Sequence, residues 1–231
     1  MKTIGLLGGM SWESSQSYYR LLNEGIKSRL GGLHSARVIL YSVDFAEIEA
    51  LQHQGDWEAT ANILAKAARS TEAAGADFLM IGTNTMHKVA PEIAEAINIP
   101  LLHIADATVR VLKNDGISRV GLLGTRFTME QAFYRCSLEQ AGIEVLVPHE
   151  AERNDIHRII YEELCQGQIL PSSRDNYLAT VDSLAQRGAQ AVILGCTEIG
   201  LLVRPPDTSV PLYDTTEIHA DAAVRLALGE V

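Results

Sequence analysis

The chain has 231 residues, which at roughly 100–200 residues per domain corresponds to one large domain or two small ones. Hydrophobic residues make up 47% and charged residues 21%, so a packed core rather than a disordered chain is expected. Acidic residues outnumber basic ones by 29 to 19, and the net charge of −10 argues against nucleic acid as a partner. No apolar run reaches the roughly 18–20 residues of a membrane-spanning helix, so no membrane partner is expected.

Three cysteines, Cys136, Cys165 and Cys196, lie far apart along the chain and form no CxxC pair. The uncharged stretch at residues 3–12 is too short for a signal peptide and has no cleavage site after it. An odd number of cysteines without a secretory signal is typical of reduced thiols in the cytoplasm. No His/Cys cluster has the spacing of zinc ligands, so no metal site is predicted.

Short apolar runs bounded by Gly or Pro alternate with helical patterns along the whole chain. Such alternation predicts a parallel sheet with right-handed crossovers. In chain order, the predicted strands are residues 3–8, 37–42, 78–81, 100–104, 119–123, 144–147, 191–194 and 211–213. Helical patterns lie between them, for example at residues 57–74 and 176–187.

The sequence also repeats itself at an offset of about half its length. Residues 75–84 match residues 188–197 without a gap, and the IGLLG run at residues 4–8 recurs as VGLLG at residues 120–124. Because these blocks recur in the same order, we predict an internal duplication. The expected α/β fold has two pseudosymmetric, doubly wound parallel-sheet lobes.

The elements after residue 211 occupy the place that residues 100–112 hold in the first half, so we expect the C-terminus to return to the first lobe. Residues 1–98 with 209–231 are then predicted to form the N-terminal lobe. Residues 99–208 are predicted to form the C-terminal lobe, with the active site in the cleft between the two.

Ligands of parallel sheets bind beyond the carboxyl ends of the strands. Four loops follow such ends, at residues 8–12, 83–87, 125–129 and 196–199. The repeat aligns Thr83 with Cys196, and each comes directly after a predicted buried strand. We therefore expect these two side chains to flank one ligand, an arrangement that suits chemistry on two faces of one carbon atom.

Cys196 is the strongest candidate for a reactive group. At a helix N-terminus its pKa would be lowered toward neutral, and the thiolate could act as a base. Cys136 and Cys165 lie within helical patterns and are expected to be buried, inert thiols. The Thr83 hydroxyl can give a proton to a carbanion but is a poor base, and capping of the next helix is its alternative role.

Further polar side chains follow both candidates. Asn84, Thr85 and Thr197 are natural donors to a carboxylate and to the charge that develops on an enolate, although capping remains an alternative. Glu198 is interpreted either as an acceptor for a substrate ammonium group or as a helix cap. His87 is more typical of a packed structural histidine.

The motifs resemble those of the aspartate/glutamate racemase family over essentially the whole chain. They are GGMS at residues 8–11, TNTMH at 83–87, GTRFT at 124–128 and GCTEI at 195–199. The glutamate at 198 resembles the aspartate-racemase branch. The resemblance implies a cofactor-independent amino-acid racemase, usually a homodimer, with two cysteines facing opposite sides of the substrate Cα. The implied substrate contacts are Met10, Gln52, Asn84, Thr85, Thr125, Arg126, Thr197 and Glu198.

The sequence departs from the family pattern at two points. Thr83 stands where the family has its first cysteine, so by resemblance Cys196 deprotonates an L-amino acid and Thr83 protonates the carbanion, with a kinetic bias from L to D. Gln52 stands where an arginine is expected to hold the side-chain carboxylate, and Arg126 is a candidate substitute. L-Asp or L-Glu is the expected substrate, and a broader range of amino acids stays open.

Two alternatives differ in function. A related branch, the arylmalonate decarboxylases, keeps a single second-half cysteine as proton donor, which the single thiol here would match. A bilobed module that binds an amino acid without chemistry is the other alternative.

Overall fold

The structure, a computed structural model, describes residues 1–230, and the chain forms two compact units. The first unit comprises Met1–Ile104 together with the chain from His219 onward. The second unit comprises Ala105–Ile218. Each unit is built on its own four-stranded parallel sheet flanked by helices, which confirms the predicted α/β class and its two sheets.

The first unit contains the strands β1 (Ile4–Gly8), β2 (Val38–Ser42), β3 (Phe78–Ile81) and β4 (Leu101–Leu102). They pair in parallel in the order β2-β1-β3-β4. The helices of this unit are α1 (Trp12–Leu30), α2 (Phe45–Gln54), α3 (Trp57–Ala73) and α4 (Ala90–Glu95). A 3-10 helix at Thr85–Val89 lies between β3 and α4.

The second unit repeats this plan. Its strands are β5 (Arg119–Gly124), β6 (Glu144–Leu146), β7 (Ala191–Gly195) and β8 (Leu212–Asp214), in the parallel order β6-β5-β7-β8. The remaining helices are α5 (Ile104–Asn114), α6 (Arg126–Glu130), α7 (Ala132–Gln140), α8 (Glu150–Glu162), α9 (Pro171–Gln186), α10 (Ile199–Leu202) and α11 (Thr215–Leu228). Short 3-10 helices lie at Leu164–Gln166 and Pro205–Asp207.

The duplication extends to the strand register. Leu7 of β1 pairs with Ile81 of β3, and Leu123 of β5 pairs with Leu194 of β7. These are the positions that the sequence repeat aligns. The residues after β3 and β7 therefore leave their sheets at equivalent points, each beside the end of the first strand of its half.

Burial explains why these strands were recognisable in the sequence. β1, β3 and β7 are buried along their whole length, and β5 is buried from Val120 onward. A strand covered on both faces is a continuous apolar run. Helix α3 packs on the first sheet, because its Leu64 and Ala68 lie in one apolar cluster with Leu7 and Ile81.

The predicted lobe boundaries differ from the units of the structure. β4 belongs to the first unit, where Leu79 donates its N–H to the Pro100 carbonyl at 2.8 Å, whereas residues 99–104 were predicted in the second lobe. β8 belongs to the second unit, where Val192 donates to Pro211 at 2.9 Å, whereas residues 209–218 were predicted in the first. Each fourth strand stays with the sheet that pairs its backbone, so the chain changes unit inside α5 and inside α11.

One helix also starts earlier than predicted. Helix α9 begins at Pro171 rather than at Asn176, because proline is well suited to the first turn of a helix, where its missing N–H costs nothing. Within residues 1–230, none of the helices combines the length and the apolar character that crossing a bilayer requires.

Candidate active site

Polar residues follow the two central strands of each sheet, as the sequence predicts. In the first unit they follow β1 and β3, and in the second they follow β5 and β7. Because β1 pairs directly with β3, and β5 with β7, the two loops of each unit start side by side. Each unit thus carries one pair of candidate loops at the carboxyl edge of its own sheet.

The loop after β1 is closely packed. Gly9 has a φ of +89°, and a Cβ at this position would lie 2.2 Å from the Val43 carbonyl oxygen, so only glycine fits. Its N–H donates to the Ser15 hydroxyl at 2.7 Å, and Ser11 caps helix α1 through Ser14. Met10, a predicted substrate contact, is only 3% exposed and packs in the apolar core of the first unit.

The loop after β3 carries Thr83. Its residue Gly82 donates an N–H to the Leu7 carbonyl at 2.8 Å, which ties the start of the loop to β1. Thr83 is half-buried, while Asn84 and Thr85 are buried. Asn84, and not Thr83, occupies the N-cap position of the 3-10 helix, and its side chain makes no capping hydrogen bond. The helix-capping alternative for Thr83 is therefore wrong.

His87 lies in the same 3-10 helix and is buried, as expected for a packed histidine. Its Nδ1 is 2.8 Å from the Thr83 carbonyl oxygen. Burial, followed by the charges of His103 and His219, holds the pKa of His87 well below its ordinary value. Its imidazole is therefore neutral at physiological pH.

The loop after β5 contains Thr125 and Arg126. Thr125 caps helix α6 by accepting from the Thr128 N–H at 3.3 Å. Arg126 is exposed, and its guanidinium donates to the Asn154 side chain at 2.8 Å. Gln52, the other candidate for the side-chain carboxylate, is buried in α2 of the first unit.

The loop after β7 holds the candidate thiol. Cys196 is 8% exposed, and its Sγ lies 3.0 Å from Oε2 of Glu198. The Thr197 hydroxyl donates to the same carboxylate oxygen at 2.8 Å. One buried oxygen of Glu198 therefore accepts hydrogen bonds from both preceding side chains. Glu198 precedes helix α10 but does not cap it with its side chain, so the capping alternative for Glu198 is wrong.

The predicted lowering of the Cys196 pKa is also wrong. Burial, together with the negative charge of Glu198, raises the pKa of the Cys196 thiol well above its ordinary value. The following helix, α10, has only four residues, so its dipole is too weak to oppose these effects. The resting side chain is a protonated thiol, and Glu198 is a base within hydrogen-bonding distance of it.

The other two cysteines differ from the expectation of buried thiols. Cys136 is exposed on α7, and Cys165 is half-buried against the apolar cluster that contains Cys196. A helical pattern alone places a residue in a helix but does not say which face of the helix is covered.

Sequence reasoning missed two buried polar groups of the second unit. Tyr177 of α9 has its pKa raised well above the ordinary value by burial and then by its proximity to the Cys196 thiol. Glu163, at the end of α8, is buried and accepts from Ser173 and, at 3.0 Å, from Arg158. No local motif marks these residues, because only tertiary packing brings Tyr177 near the thiol and Glu163 near Tyr177.

Residues 7–223 match the model of the Asp/Glu/hydantoin racemase family. A curated relative, the broad-specificity amino-acid racemase of Bacillus subtilis, is 25% identical over 164 residues, which cover 68% of this chain and 67% of the relative.

Solved structures resemble the chain over nearly its whole length. A Yersinia pestis protein with a provisional Asp/Glu racemase assignment is 56% identical, with a TM-score of 0.91, covering 99% of this chain and 100% of the other. An aspartate racemase homologue from Pyrococcus horikoshii is 34% identical, with a TM-score of 0.86 and the same coverage. The family and the two-sheet fold follow from these matches.

Proposed function

The chain belongs to the Asp/Glu/hydantoin racemase family, and we propose that it racemises L-Asp or L-Glu without a cofactor. In this proposal Cys196 exchanges the Cα proton on one face of the substrate and Thr83 on the other. The supporting observation is the 3.0 Å contact between Cys196 and Glu198, because a buried thiol needs a base before it can take a proton from carbon. That both side chains serve one substrate, and that the protein is a cytoplasmic homodimer, stay predictions.

The proton path begins at Cys196. Glu198 accepts the thiol proton, which leaves a thiolate and a neutral carboxyl group. The thiolate takes the Cα proton of the L-amino acid, and the electron pair of the C–H bond moves onto the substrate carboxylate. Thr83 then gives its hydroxyl proton to the opposite face of Cα. Thr83 regains a proton from water, and Glu198 releases its own to solvent.

The charge on the substrate carboxylate needs strong donors, because the Cα proton of an amino acid is very weakly acidic. Asn84, Thr85 and Thr197 are between 2% and 6% exposed and lie in the loops of the two proton-transfer residues. Donors fixed in a place of low dielectric stabilise developing charge without reorganising, which makes them more effective than water. We propose that these three residues hold the carboxylate.

The two proton-transfer groups are chemically unequal. Thr83 is a poor base, so abstraction from the D-enantiomer is slow compared with abstraction by Cys196. Enantiomers have equal free energy in water, which requires kcat/KM to be the same in both directions. The preference for the L-to-D direction therefore appears in kcat and KM taken separately.

A substrate with a side-chain carboxylate needs a charged partner on the protein. Arg126 is exposed and held by Asn154, whereas Gln52 is buried and uncharged, so of these two candidates Arg126 offers the charged group to a second carboxylate. The broad specificity in the name of the Bacillus subtilis relative supports testing neutral amino acids as well.

The test is incubation with single L- and D-amino acids in D2O, followed by chiral chromatography and mass spectrometry. Wild type is expected to form D-Asp or D-Glu with deuterium at Cα, and Cys196→Ala is expected to do neither. Cys165→Ala is the matched control, since this thiol packs against the same apolar cluster. If no L-amino acid gains deuterium at Cα, the proposal is wrong.

One observation supports a second candidate reaction. A thiol that is protonated at rest is a ready proton donor to a carbanion, as a single-cysteine decarboxylase requires. Release of carbon dioxide from a disubstituted malonate, without exchange at Cα of any amino acid, would favour this reaction. The match to a racemase family favours an enzyme over the alternative of a binding module without chemistry.

A further inference from the structure

A buried histidine network lies at the carboxyl edge of the first sheet, and the proposed reaction does not use it. His87 and His219 are 2% and 0% exposed, and their ring centres are 5.9 Å apart. The half-buried ring of His103 stacks edge-on against His87 at 4.4 Å. These three histidines come from the 3-10 helix, from the turn after β4, and from α11.

The hydrogen bonds of His87 fix its tautomer. Nδ1 lies 2.8 Å from the Thr83 carbonyl oxygen, which can only accept, so Nδ1 carries the proton. Nε2 lies 3.2 Å from the Ile104 backbone N–H, which can only donate, so Nε2 is bare. A neutral imidazole therefore connects the backbone of Thr83 to the first residue of α5.

His219 has the opposite tautomer. Its Nε2 donates to the Leu102 carbonyl at 2.9 Å, and its Nδ1 accepts from the Tyr18 hydroxyl at 3.0 Å. Leu102 and Ile104 are thus held from two sides by two neutral rings. His219 is as deeply buried as His87 but makes no hydrogen bond to the loop that carries Thr83, which makes it a useful control.

We infer that His87 is a positioning residue for Thr83, acting by fixing the Thr83 carbonyl against the start of α5. The inference rests on the proposed function. A carbonyl held on a short, fixed bond restricts the backbone rotations of its residue, and these rotations aim the Thr83 hydroxyl. Misplacing a reacting group by about 1 Å can cost about 100-fold in rate, so loss of this anchor should act on the step that Thr83 performs.

A role in positioning Thr83 has a different signature from a general role in folding. Proton abstraction from the L-enantiomer by Cys196 does not need Thr83. Cys196 can therefore remove the Cα proton and deliver deuterium to the same face, which gives deuterated L-substrate. Formation of the D-enantiomer needs Thr83. The ratio of D-product to deuterated L-substrate therefore reports on Thr83, whereas damage to the whole fold would lower both together.

The experiment compares His87→Leu, His87→Asn and His87→Gln in D2O. His87→Leu should lower the D-to-deuterated-L ratio by about 10- to 100-fold, with a lower kcat and a nearly unchanged KM. His87→Asn places an amide N–H where Nδ1 stood and should keep the ratio within a few-fold of wild type. His87→Gln places its amide near Nε2, loses the bond to Thr83, and should resemble His87→Leu.

His219→Leu is the matched control, because it removes an equally buried ring and should leave the ratio at the wild-type value. If His87→Leu does not fold, the contrast between the Asn and Gln variants decides, and an equal ratio in those two overturns the inference. An active wild type with an unchanged ratio in every His87 variant overturns the positioning role alone. A wild type without exchange or racemisation on any amino acid overturns the proposed function, and the inference with it.

Discussion

The two units share their sheet order and register, yet they surround their equivalent loop residues with opposite chemistry. In the first unit, Thr83 is held by His87, a base whose pKa burial lowers. In the second, Cys196 lies against Glu198, and burial raises the pKa of the thiol. The end of a strand thus fixes where a side chain stands. The residues packed around it decide which proton it holds.

In both units, burial keeps the buried titratable group, His87 in the first and Cys196 in the second, uncharged at neutral pH. A buried histidine loses its proton and a buried thiol keeps its own, because desolvation disfavours the charged form of each. The duplicated fold therefore presents, in one unit, a threonine whose backbone carbonyl accepts from a neutral imidazole. In the other, it presents a thiol paired with a carboxylate that can remove its proton.

The largest expected effect comes from removing the carboxylate of the second unit. Glu198→Gln should slow racemisation by about 1,000-fold, because the thiol loses the base that takes its proton. The same change should speed alkylation of Cys196 by iodoacetamide near pH 8. The negative charge of Glu198 raises the pKa of Cys196, so its loss lowers that pKa and increases the thiolate fraction.

Glu139→Gln on the exposed face of α7 is the control for both measurements, since this residue forms a surface ion pair with Arg135. Slower alkylation together with unchanged racemisation would contradict the role given to Glu198.

The two units should also respond oppositely to acid. Burial lowers the pKa of His219 to about 4. Between about pH 6.5 and 4 the unfolded chain therefore binds a proton at this histidine, whereas the folded first unit does not. The first unit should lose up to about 3 kcal/mol between pH 6.5 and 4. Burial raises the pKa of Asp214 to about 6, so the folded second unit holds a proton that the unfolded chain releases above about pH 4.

The second unit should therefore lose stability as the pH rises from about 4 to 6, by less than the first unit changes, because Asp214 is only half-buried. Hydrogen exchange followed by mass spectrometry, peptide by peptide, separates the two units. Asp214→Asn keeps an acceptor for the Thr216 N–H and should remove the loss of stability between about pH 4 and 6 that Asp214 causes. If hydrogen exchange became faster in both units alike at low pH, the predicted difference between the units would be wrong.

The smallest effect is expected when the two loops are made alike. Thr83→Cys should raise kcat for D-to-L conversion by about tenfold, because a cysteine side chain forms its thiolate far more readily than threonine forms its alkoxide. The ratio of the two kcat values should then approach one. Separate progress curves from pure L- and D-substrate measure both values. An unchanged D-to-L kcat would show that the base strength of residue 83 does not limit that direction.

The architecture could be predicted closely from the sequence. β1, β3, β5 and β7 are central strands covered on both faces, so their burial is visible as apolar runs, and the repeat aligns them in register. The polar residues that follow them were located for the same reason. The predicted boundaries between the units were wrong by several residues. The reason is that β4 and β8 are short, and their own sequences do not show which strand each of them pairs with.

The sequence by itself determined two α/β halves with Thr83 and Cys196 at equivalent strand ends, because short-range patterns of apolar and polar residues suffice for that. Only the tertiary structure decided the acid–base character of these ends. The pKa of Cys196 follows from burial, an effect that its position before a helix does not reveal. The His219 ring bonds to Leu102, which lies more than a hundred residues away in the chain. A pKa depends on desolvation and on charges close in space, and both are properties of the packed molecule.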